Sequence, residues 1–184
     1  MQIEFPQDPG AQCPNVVRMV VEIPKFSSNK YEYDPDLKVF KLSRALYSPM
    51  HYPGDYGFVP GTIAEDNQPL DILALVAVPS FPGCLYDVRP LGVLDLVDED
   101  QCDHKILAVP VREPRSASIQ DLEGMAQHYL REIEHFFRIY KELEQKQSRI
   151  EGWRNADTAR ALIQESRTRF LEGTDAGKAV SAIG

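Results

Sequence analysis

Two short acidic stretches hold the side chains of this sequence that are best suited to chemistry. In the first, Asp66 and Asp71 flank Pro69, and the second contains a similar pair, Asp98 and Asp103. Proline fixes its own φ angle, and the apolar run after Pro69 predicts a strand, so the two acids of the first stretch can converge on one ion. Carboxylate oxygens are ligands that Mg²⁺ prefers in proteins, usually with water and substrate phosphates. Acids grouped in this way indicate either a metal site or a solvated loop.

Short β-rich runs occupy the chain between about residue 16 and residue 110, separated by Pro, Gly, Asn and Asp. Runs of this length and spacing predict a small barrel or sandwich rather than βαβ units. The predicted strands are residues 16–23, 30–34, 37–42, 72–78, 85–94 and 105–109.

The apolar pattern changes its period after residue 116. Apolar residues then recur every three or four positions, which predicts a helix over residues 122–144. Asn155 is the predicted N-cap of a second helix, and Gly173 is its predicted end. The recurring apolar positions of the first helix are Ala126, Leu130, Ile133, Phe137 and Tyr140.

A run of strands followed by two helices predicts an α+β domain, with a small closed or distorted, OB-like β-barrel and two C-terminal helices packed outside it. We expect a single domain over residues 1–184. Its predicted parts are an irregular arm (1–14), the β-barrel core (15–115), a helical part (116–173) and a loose tail (174–184).

Composition narrows the classes of protein to consider. A length of 184 residues with 43% hydrophobic residues is enough for one domain with a buried core. The net charge of -8 opposes general binding to nucleic acid or anionic membranes, and it means that a polyphosphate substrate would need metal ions to offset repulsion. The three cysteines lack CxxC spacing, and no leader or membrane-spanning segment is recognisable, so we expect a cytoplasmic protein.

Several motifs around the acidic stretches occur in a distinctive order. They are VEIP (21–24), KYE (30–32), YPGDYG (52–57), RPLGV (89–93) and HFF (135–137), which leads to Tyr140 and Lys141. In this order they resemble the soluble inorganic pyrophosphatases of family I, which are Mg-dependent and consist of a single domain. The resemblance runs from about residue 20 to residue 141 and on through residues 151–153.

The resemblance implies that pyrophosphate is hydrolysed to two orthophosphates by direct attack of metal-activated water. It implies several Mg²⁺ ions in each active site, with Mn²⁺ as a substitute, and a homo-oligomer, commonly a hexamer in bacteria. The implied metal ligands are Asp66, Asp71, Asp98, Asp103 and Glu32, with Glu22 in an outer-shell position. Glu99 is expected to be an outer-shell charge or a spectator. The implied substrate-binding residues are Lys30, Arg44, Tyr52, Tyr56, Lys105, Tyr140 and Lys141, of which Arg44 and Tyr56 are also implied to be catalytic.

Gln68 departs from the family's pattern. Where the family motif reads Asp-x-Asp-Pro-x-Asp, this chain has Gln68 in place of the middle carboxylate, which in the family assists the attacking water. An amide cannot take a proton from water near neutral pH, and general-base assistance is typically worth ~10²- to 10⁴-fold in rate. We therefore expect a slower enzyme. Two further possibilities stay open: Gln68 simply hydrogen-bonds the water, or it was introduced on purpose to trap substrate.

Simpler interpretations of several of these residues stay open as well. Lys30 and Glu32 lie on one face of a predicted strand, as an ordinary ion pair would, while Tyr140 suits a helix core and Lys141 a solvated surface. The main rival function is binding of pyrophosphate or a nucleotide without efficient turnover. A barrel that binds oligonucleotides through its eight tyrosines and eight phenylalanines is a further rival, opposed by the net charge.

Overall fold

The computed structural model describes residues 3–98, 101–146 and 148–181. The helices are α1 (Gln127–Ile139) and α2 (Ala156–Ser181), and short 3₁₀ turns lie at Pro114–Ser116 and Glu142–Glu144. The strands are β1 (Val17–Ile23), β2 (Asn29–Asp34), β3 (Val39–Ala45), β4 (Asp55–Val59), β5 (Leu70–Ala74), β6 (Leu85–Asp98), β7 (Gln101–Pro110) and β8 (Ser148–Asn155).

Five strands pair side by side in a closed ring, in the order β1-β4-β5-β7-β6 and back to β1. The β5–β7 pair is parallel and the other pairs are antiparallel. Shifts in register interrupt the β1–β4 and β6–β7 pairs, so the ring is not a regular barrel. Strand β8 extends the sheet from β6, and β2 and β3 form a separate hairpin. The predicted α+β class with a distorted, OB-like barrel is confirmed.

Two buried apolar clusters hold the elements together, because alternate residues of a strand point to opposite faces of the sheet. All five strands of the ring contribute to one cluster, which also receives Ala159, Leu162 and Ile163 from α2. The other cluster lies on the opposite face of the strands and contains the buried side chains of α1, among them Phe136 and Phe137. Tyr140, the C-cap residue of α1, is buried in the same cluster.

The predicted strands correspond to β1, β2, β3, β5, β6 and β7, with corrections. Strand β3 begins later than predicted because residues 35–38 form a turn in which Lys38 has a φ of 55°. Strand β5 lies at Leu70–Ala74 and not at residues 72–78. Strand β4 was not predicted, since glycines weaken the strand pattern around it. One of them, Gly57, is required there: a Cβ atom would lie 1.9 Å from the carbonyl oxygen of Val20.

The helical part also differs from its prediction. Helix α1 is shorter than residues 122–144, and the predicted helical part contains strand β8. The N-cap prediction is confirmed, because the Thr158 amide donates to Oδ1 of Asn155 at 3.0 Å. Helix α2 does not end at Gly173 but runs to Ser181, so the predicted loose tail is partly helical. A single glycine inside a helix costs only about 1 kcal/mol, which is too little to end it.

Residues 3–14, which precede β1, contain no helix or strand. Phe5 of this arm packs edge-on against Tyr33, Phe40 and Phe58, and the Tyr33 hydroxyl donates to the carbonyl oxygen of Ile3. The arm therefore ties the β2–β3 hairpin to the ring. Within the described residues, no helix has the length and apolar character needed to cross a membrane.

Candidate active site

A cleft of about 490 Å³ lies where the β2–β3 hairpin, strands β5 to β7 and the C-terminal end of α1 meet. Nearly all of the predicted site residues line it, although they come from distant parts of the sequence. They are Glu22, Lys30, Glu32, Tyr52, Tyr56, Asp66, Gln68, Asp71, Asp98, Asp103, Lys105, Tyr140 and Lys141.

Two predicted residues are not in this group. Arg44 does not line the cleft; its Nη1 lies 3.0 Å from Oε2 of Glu144. Glu99 lies outside the described residues. A larger and mainly apolar cavity, of about 720 Å³, lies beside α1, but of the predicted site residues that the structure describes only Tyr52 lines it. Chemistry that needs carboxylates and cations therefore belongs to the smaller cleft.

Lys105 lies between two carboxylates at the centre of the cleft. The parallel pairing of Ile72 with Ile106 brings the preceding residues, Asp71 and Lys105, side by side. The Lys105 ammonium contacts Oδ2 of Asp71 and lies 2.6 Å from Oδ1 of Asp103. Burial lowers the pKa of Lys105, but the two carboxylates outweigh it and raise the pKa well above its usual value. Lys105 is therefore a fixed positive charge at neutral pH.

Asp103 differs from Asp98 in its electrostatic surroundings. Burial raises the pKa of Asp103, and the neighbouring charge of Asp71 adds to this, so that the attraction of Lys105 is outweighed. Burial also raises the pKa of Asp98, but the hydrogen bond and the charge of Lys141 lower it below its usual value. Asp98 additionally accepts a hydrogen bond from Ser148 Oγ at 3.1 Å. Burial and the charge of Asp71 thus disfavour the charged form of Asp103, whereas Lys141 favours that of Asp98.

The β2–β3 hairpin contributes a second group of charges. Lys30 Nζ lies 2.7 Å from Oε1 of Glu32, and the hydrogen bond from Lys30 is the main reason that the pKa of Glu32 is lowered. The ordinary ion pair expected from the strand pattern is therefore present, and both of its members line the cleft. Glu22 accepts a hydrogen bond from the Tyr33 amide at 2.7 Å. Burial nevertheless raises the pKa of Glu22 to about 7.

Gln68 lies in an exposed loop at the mouth of the cleft. The backbone N–H of Gln68 donates to Oδ1 of Asp66 at 2.9 Å, and Asn67 between them has a φ of 64°. The Ala64 amide donates to the carbonyl oxygen of Gln68, which closes the loop. This turn places the side chains of both Asp66 and Gln68 at the cleft.

Comparison with known proteins identifies the family. The family model described as inorganic pyrophosphatase matches residues 19–171. The chain belongs to the inorganic pyrophosphatase family. The predicted enzyme class, an inorganic diphosphatase, is thereby confirmed.

Relatives and solved structures agree over most of the chain. The inorganic pyrophosphatase of Nostoc sp. is 47% identical over 158 residues, which cover 86% of this chain and 94% of the relative. That of Methanosarcina mazei is 47% identical over 154 residues, covering 84% and 91% of the two chains. The crystal structure of inorganic pyrophosphatase from Thermus thermophilus superimposes with a TM-score of 0.88 at 41% identity, covering 91% of this chain and 97% of that chain.

Pyrophosphatases of this family are expected to depend on divalent metal ions, and the side chains of the cleft fit such ions. Six carboxylates of the described residues line it, and carboxylate oxygens are hard ligands suited to Mg²⁺. Among the described residues, however, no group of three or more His, Cys, Asp or Glu side chains is arranged to hold an ion. Ammonium groups lie between the acids instead: Lys105 between Asp71 and Asp103, and Lys141 at Asp98. Burial, with a further contribution from the charge of Asp71, raises the pKa of Asp103 despite the contact with Lys105.

Three tyrosines form the apolar side of the pyrophosphatase cleft. Tyr52, Tyr56 and Tyr140 pack against Phe136 and Phe137 with ring centroids 4.8 to 6.2 Å apart. Burial raises the pKa of each of these phenols, so all three remain hydrogen-bond donors at neutral pH. The Tyr56 hydroxyl donates to Oδ2 of Asp71 at 2.6 Å.

Some residues at the pyrophosphatase cleft were not predicted from the sequence. Tyr33, Phe58 and Phe137 line it, and Ser148 and Glu144 contact predicted residues. Phe137 stands in the helical apolar pattern one turn before Tyr140, which was a usable signal. Ser148 and Glu144 lie far along the chain from their partners, and nothing in the sequence pattern pairs them.

Proposed function

We propose that this cleft hydrolyses pyrophosphate to two orthophosphates by direct attack of water, with Mg²⁺ as the divalent ion. The observation that supports this most strongly is convergence: Asp66, Asp71, Asp98 and Asp103 belong to three separate segments, yet they line one cleft together with three lysines. A pyrophosphate anion needs cations around its oxygens, and a chain with a net charge of -8 needs metal ions to admit it.

The proposed ligands for the divalent ions are Asp66, Asp71, Asp98, Asp103 and Glu32, with Glu22 and Glu99 in the outer shell. When bound, such ions polarise phosphoryl oxygens and lower the pKa of water.

The remaining charged and phenolic side chains are proposed to bind the phosphoryl groups. Lys30, Lys105 and Lys141 carry the positive charges, which suit a transition state that spreads negative charge over phosphoryl oxygens. Each of these lysines already contacts a carboxylate, so each is held in place before substrate arrives. Tyr52, Tyr56 and Tyr140 supply neutral O–H donors along the same wall, and Arg44 would join them from the cleft's edge.

Gln68 is proposed to orient the attacking water without accepting its proton. Its side chain lines the cleft in the loop of Asp66, at the family's general-base position. An amide oxygen accepts a hydrogen bond from water, but it does not take the proton near neutral pH. A hydrogen-bonded water attacks more slowly than a deprotonated one, so we expect a slow enzyme with an altered dependence on pH.

The test is the rate of orthophosphate release from pyrophosphate in the presence of Mg²⁺, for the chain as it stands and for Gln68→Asp. We expect both proteins to be active, with the variant faster by about 10²- to 10⁴-fold. Equal rates would show that Gln68 is no handicap. Inactivity of both proteins, with unchanged metal affinity in Asp71→Asn, would refute the metal site itself.

Binding without efficient turnover is the second candidate, and Gln68 is the observation that favours it. A cleft that keeps its cations and metal ligands but lacks the base would bind pyrophosphate and hydrolyse it slowly. Calorimetry would then show binding of pyrophosphate while no orthophosphate appears. Recovery of activity in Gln68→Asp would show that the remaining site is intact.

A further inference from the structure

Arg44 does not line the cleft that it is proposed to serve. In the β2–β3 hairpin Arg44 is the direct cross-strand partner of Lys30, yet of the two only Lys30 lines the cleft. The Arg44 side chain reaches instead towards the 3₁₀ turn Glu142–Glu144, where its Nη1 lies 3.0 Å from Oε2 of Glu144. Both side chains are shielded from solvent, with exposed fractions of 26% for Arg44 and 10% for Glu144.

The Arg44–Glu144 pair is incomplete. Nε and Nη2 of Arg44 and Oε1 of Glu144 are buried and have no hydrogen-bond partner among the described residues. Nε and Nη2 form the edge of a guanidinium group that binds a carboxylate or a phosphoryl group through two parallel hydrogen bonds. A buried polar group without a hydrogen-bond partner destabilises the arrangement that leaves it unpaired. The contact with Glu144 therefore leaves unused the edge of Arg44 that is best suited to a phosphoryl group.

Both members of the pair are attached to segments that line the cleft. Arg44 stands beside Lys30, and the turn that carries Glu144 begins directly after Lys141, whose ammonium contacts Asp98. Both members of the pair therefore belong to segments that also place a lysine at the cleft.

We propose that Glu144 is a positioning residue that competes with phosphoryl oxygens for the guanidinium of Arg44. On the basis of the proposed function, Glu144 forms its ion pair with Arg44 again when orthophosphate leaves. Glu144 thereby lowers the affinity of the cleft for orthophosphate. The anions concerned are orthophosphate and pyrophosphate.

Binding of orthophosphate in the presence of Mg²⁺, measured by calorimetry on the full chain, tests the proposal without requiring turnover. Removing the competing carboxylate in Glu144→Gln should lower the dissociation constant of orthophosphate about three- to tenfold. Glu142→Gln is the matched control, since Glu142 is an exposed acid in the same turn. It should leave the dissociation constant unchanged.

The effect must also depend on Arg44. In an Arg44→Gln background, Glu144→Gln should no longer change orthophosphate binding. In steady-state kinetics, Glu144→Gln should lower KM for pyrophosphate without raising kcat. Glu144→Ala should behave likewise, and thermal unfolding of each variant would establish that it is folded.

Three results would overturn the proposal: weaker or unchanged orthophosphate binding in Glu144→Gln, equal tightening in Glu142→Gln, or full tightening that persists without Arg44. The proposed function fails on a different observation, which is the absence of orthophosphate release from pyrophosphate by the unaltered chain.

Discussion

At the scale of residues, the burial of Glu22 makes the stability of the folded state depend on pH. Burial raises its pKa to about 7, above the 4.5 of an ordinary glutamic acid. Between these two pH values the folded state holds the proton and the unfolded state does not. The contribution of Glu22 to stability is therefore fully present below about pH 4.5 and is lost as the pH rises through about 7.

Glu22→Gln should remove this dependence. We expect the free energy of unfolding of the variant, measured by urea titration without divalent ions, to exceed that of the unaltered chain by about 1–3 kcal/mol at pH 8. Near pH 4.5 the two should be equal. Glu123→Gln, a change at an exposed acid, serves as the control. Parallel stability curves for Glu22→Gln and the unaltered chain across this range would contradict the prediction.

Some residues of the cleft were predictable from the sequence, and the position of the Arg44 side chain was not. Asp71, Asp103 and Lys105 stand in motifs whose order along the chain was recognisable, and the parallel β5–β7 pair then brings them together. The direction of the Arg44 side chain could not be predicted, because it depends on Glu144 in a turn far along the chain. A strand pattern fixes the face on which a residue stands, but it does not choose between two partners on that face.

At the scale of elements, the contact between β1 and β4 depends on a glycine. A Cβ atom on Gly57 would lie 1.9 Å from the Val20 carbonyl oxygen and 2.9 Å from the Glu22 amide nitrogen. Backbone atoms of a paired strand cannot move aside without breaking the pair, so the position accepts no side chain. Glu22 and Tyr56, on either side of this contact, would lose their places at the cleft.

Gly57→Ala should therefore lower the free energy of unfolding by about 3 kcal/mol or more, or prevent folding. Gly124→Ala is a suitable control, since the nearest atom to its added Cβ is 3.6 Å away, an ordinary van der Waals contact. Urea titration of both variants would measure the difference. Equal stability of Gly57→Ala and the unaltered chain would show that β1 and β4 can separate without cost.

Element prediction succeeded where one local signal was decisive. Short β-rich runs bounded by turn-forming residues located β1 and β2, and Asn155 marked the start of α2. Strand β4 was missed because Gly57 interrupts its strand pattern. That glycine is required by the close approach of β1, which the pattern of β4 alone does not reveal. Helix α2 was ended too early at Gly173 because the cost of one glycine is small beside the burial of the helix's apolar side chains.

At the scale of the whole molecule, divalent ions should stabilise the fold. The cleft gathers carboxylates in a chain with a net charge of -8, so ions that bind only the folded state add their binding free energy to its stability. With Mg²⁺ at about 100 times its dissociation constant, the gain is about 2.7 kcal/mol. Thermal unfolding with Mg²⁺ and with a chelator should show a higher midpoint with the ion. Sodium chloride at equal ionic strength is the control, and an equal rise with it would indicate charge screening alone.

Assembly and location are properties of the whole molecule that stay predictions. A homo-oligomer, with a hexamer as the expected form, and a cytoplasmic location follow from the family resemblance and the cysteine pattern rather than from contacts within one chain. Light scattering would measure the mass of the assembly, and a monomeric mass would contradict the first of these predictions.

The central claim is that aspartates distant in the sequence act together in one pyrophosphate-cleaving cleft. Its most direct test is the rate of orthophosphate release with saturating Mg²⁺ for Asp71→Asn and Asp103→Asn, compared with Asp157→Asn, a matched change at an exposed aspartate of α2. We predict a loss of about 100-fold or more for each cleft variant and no loss for the control. Cleft variants that are folded and as fast as the unaltered chain would contradict the account.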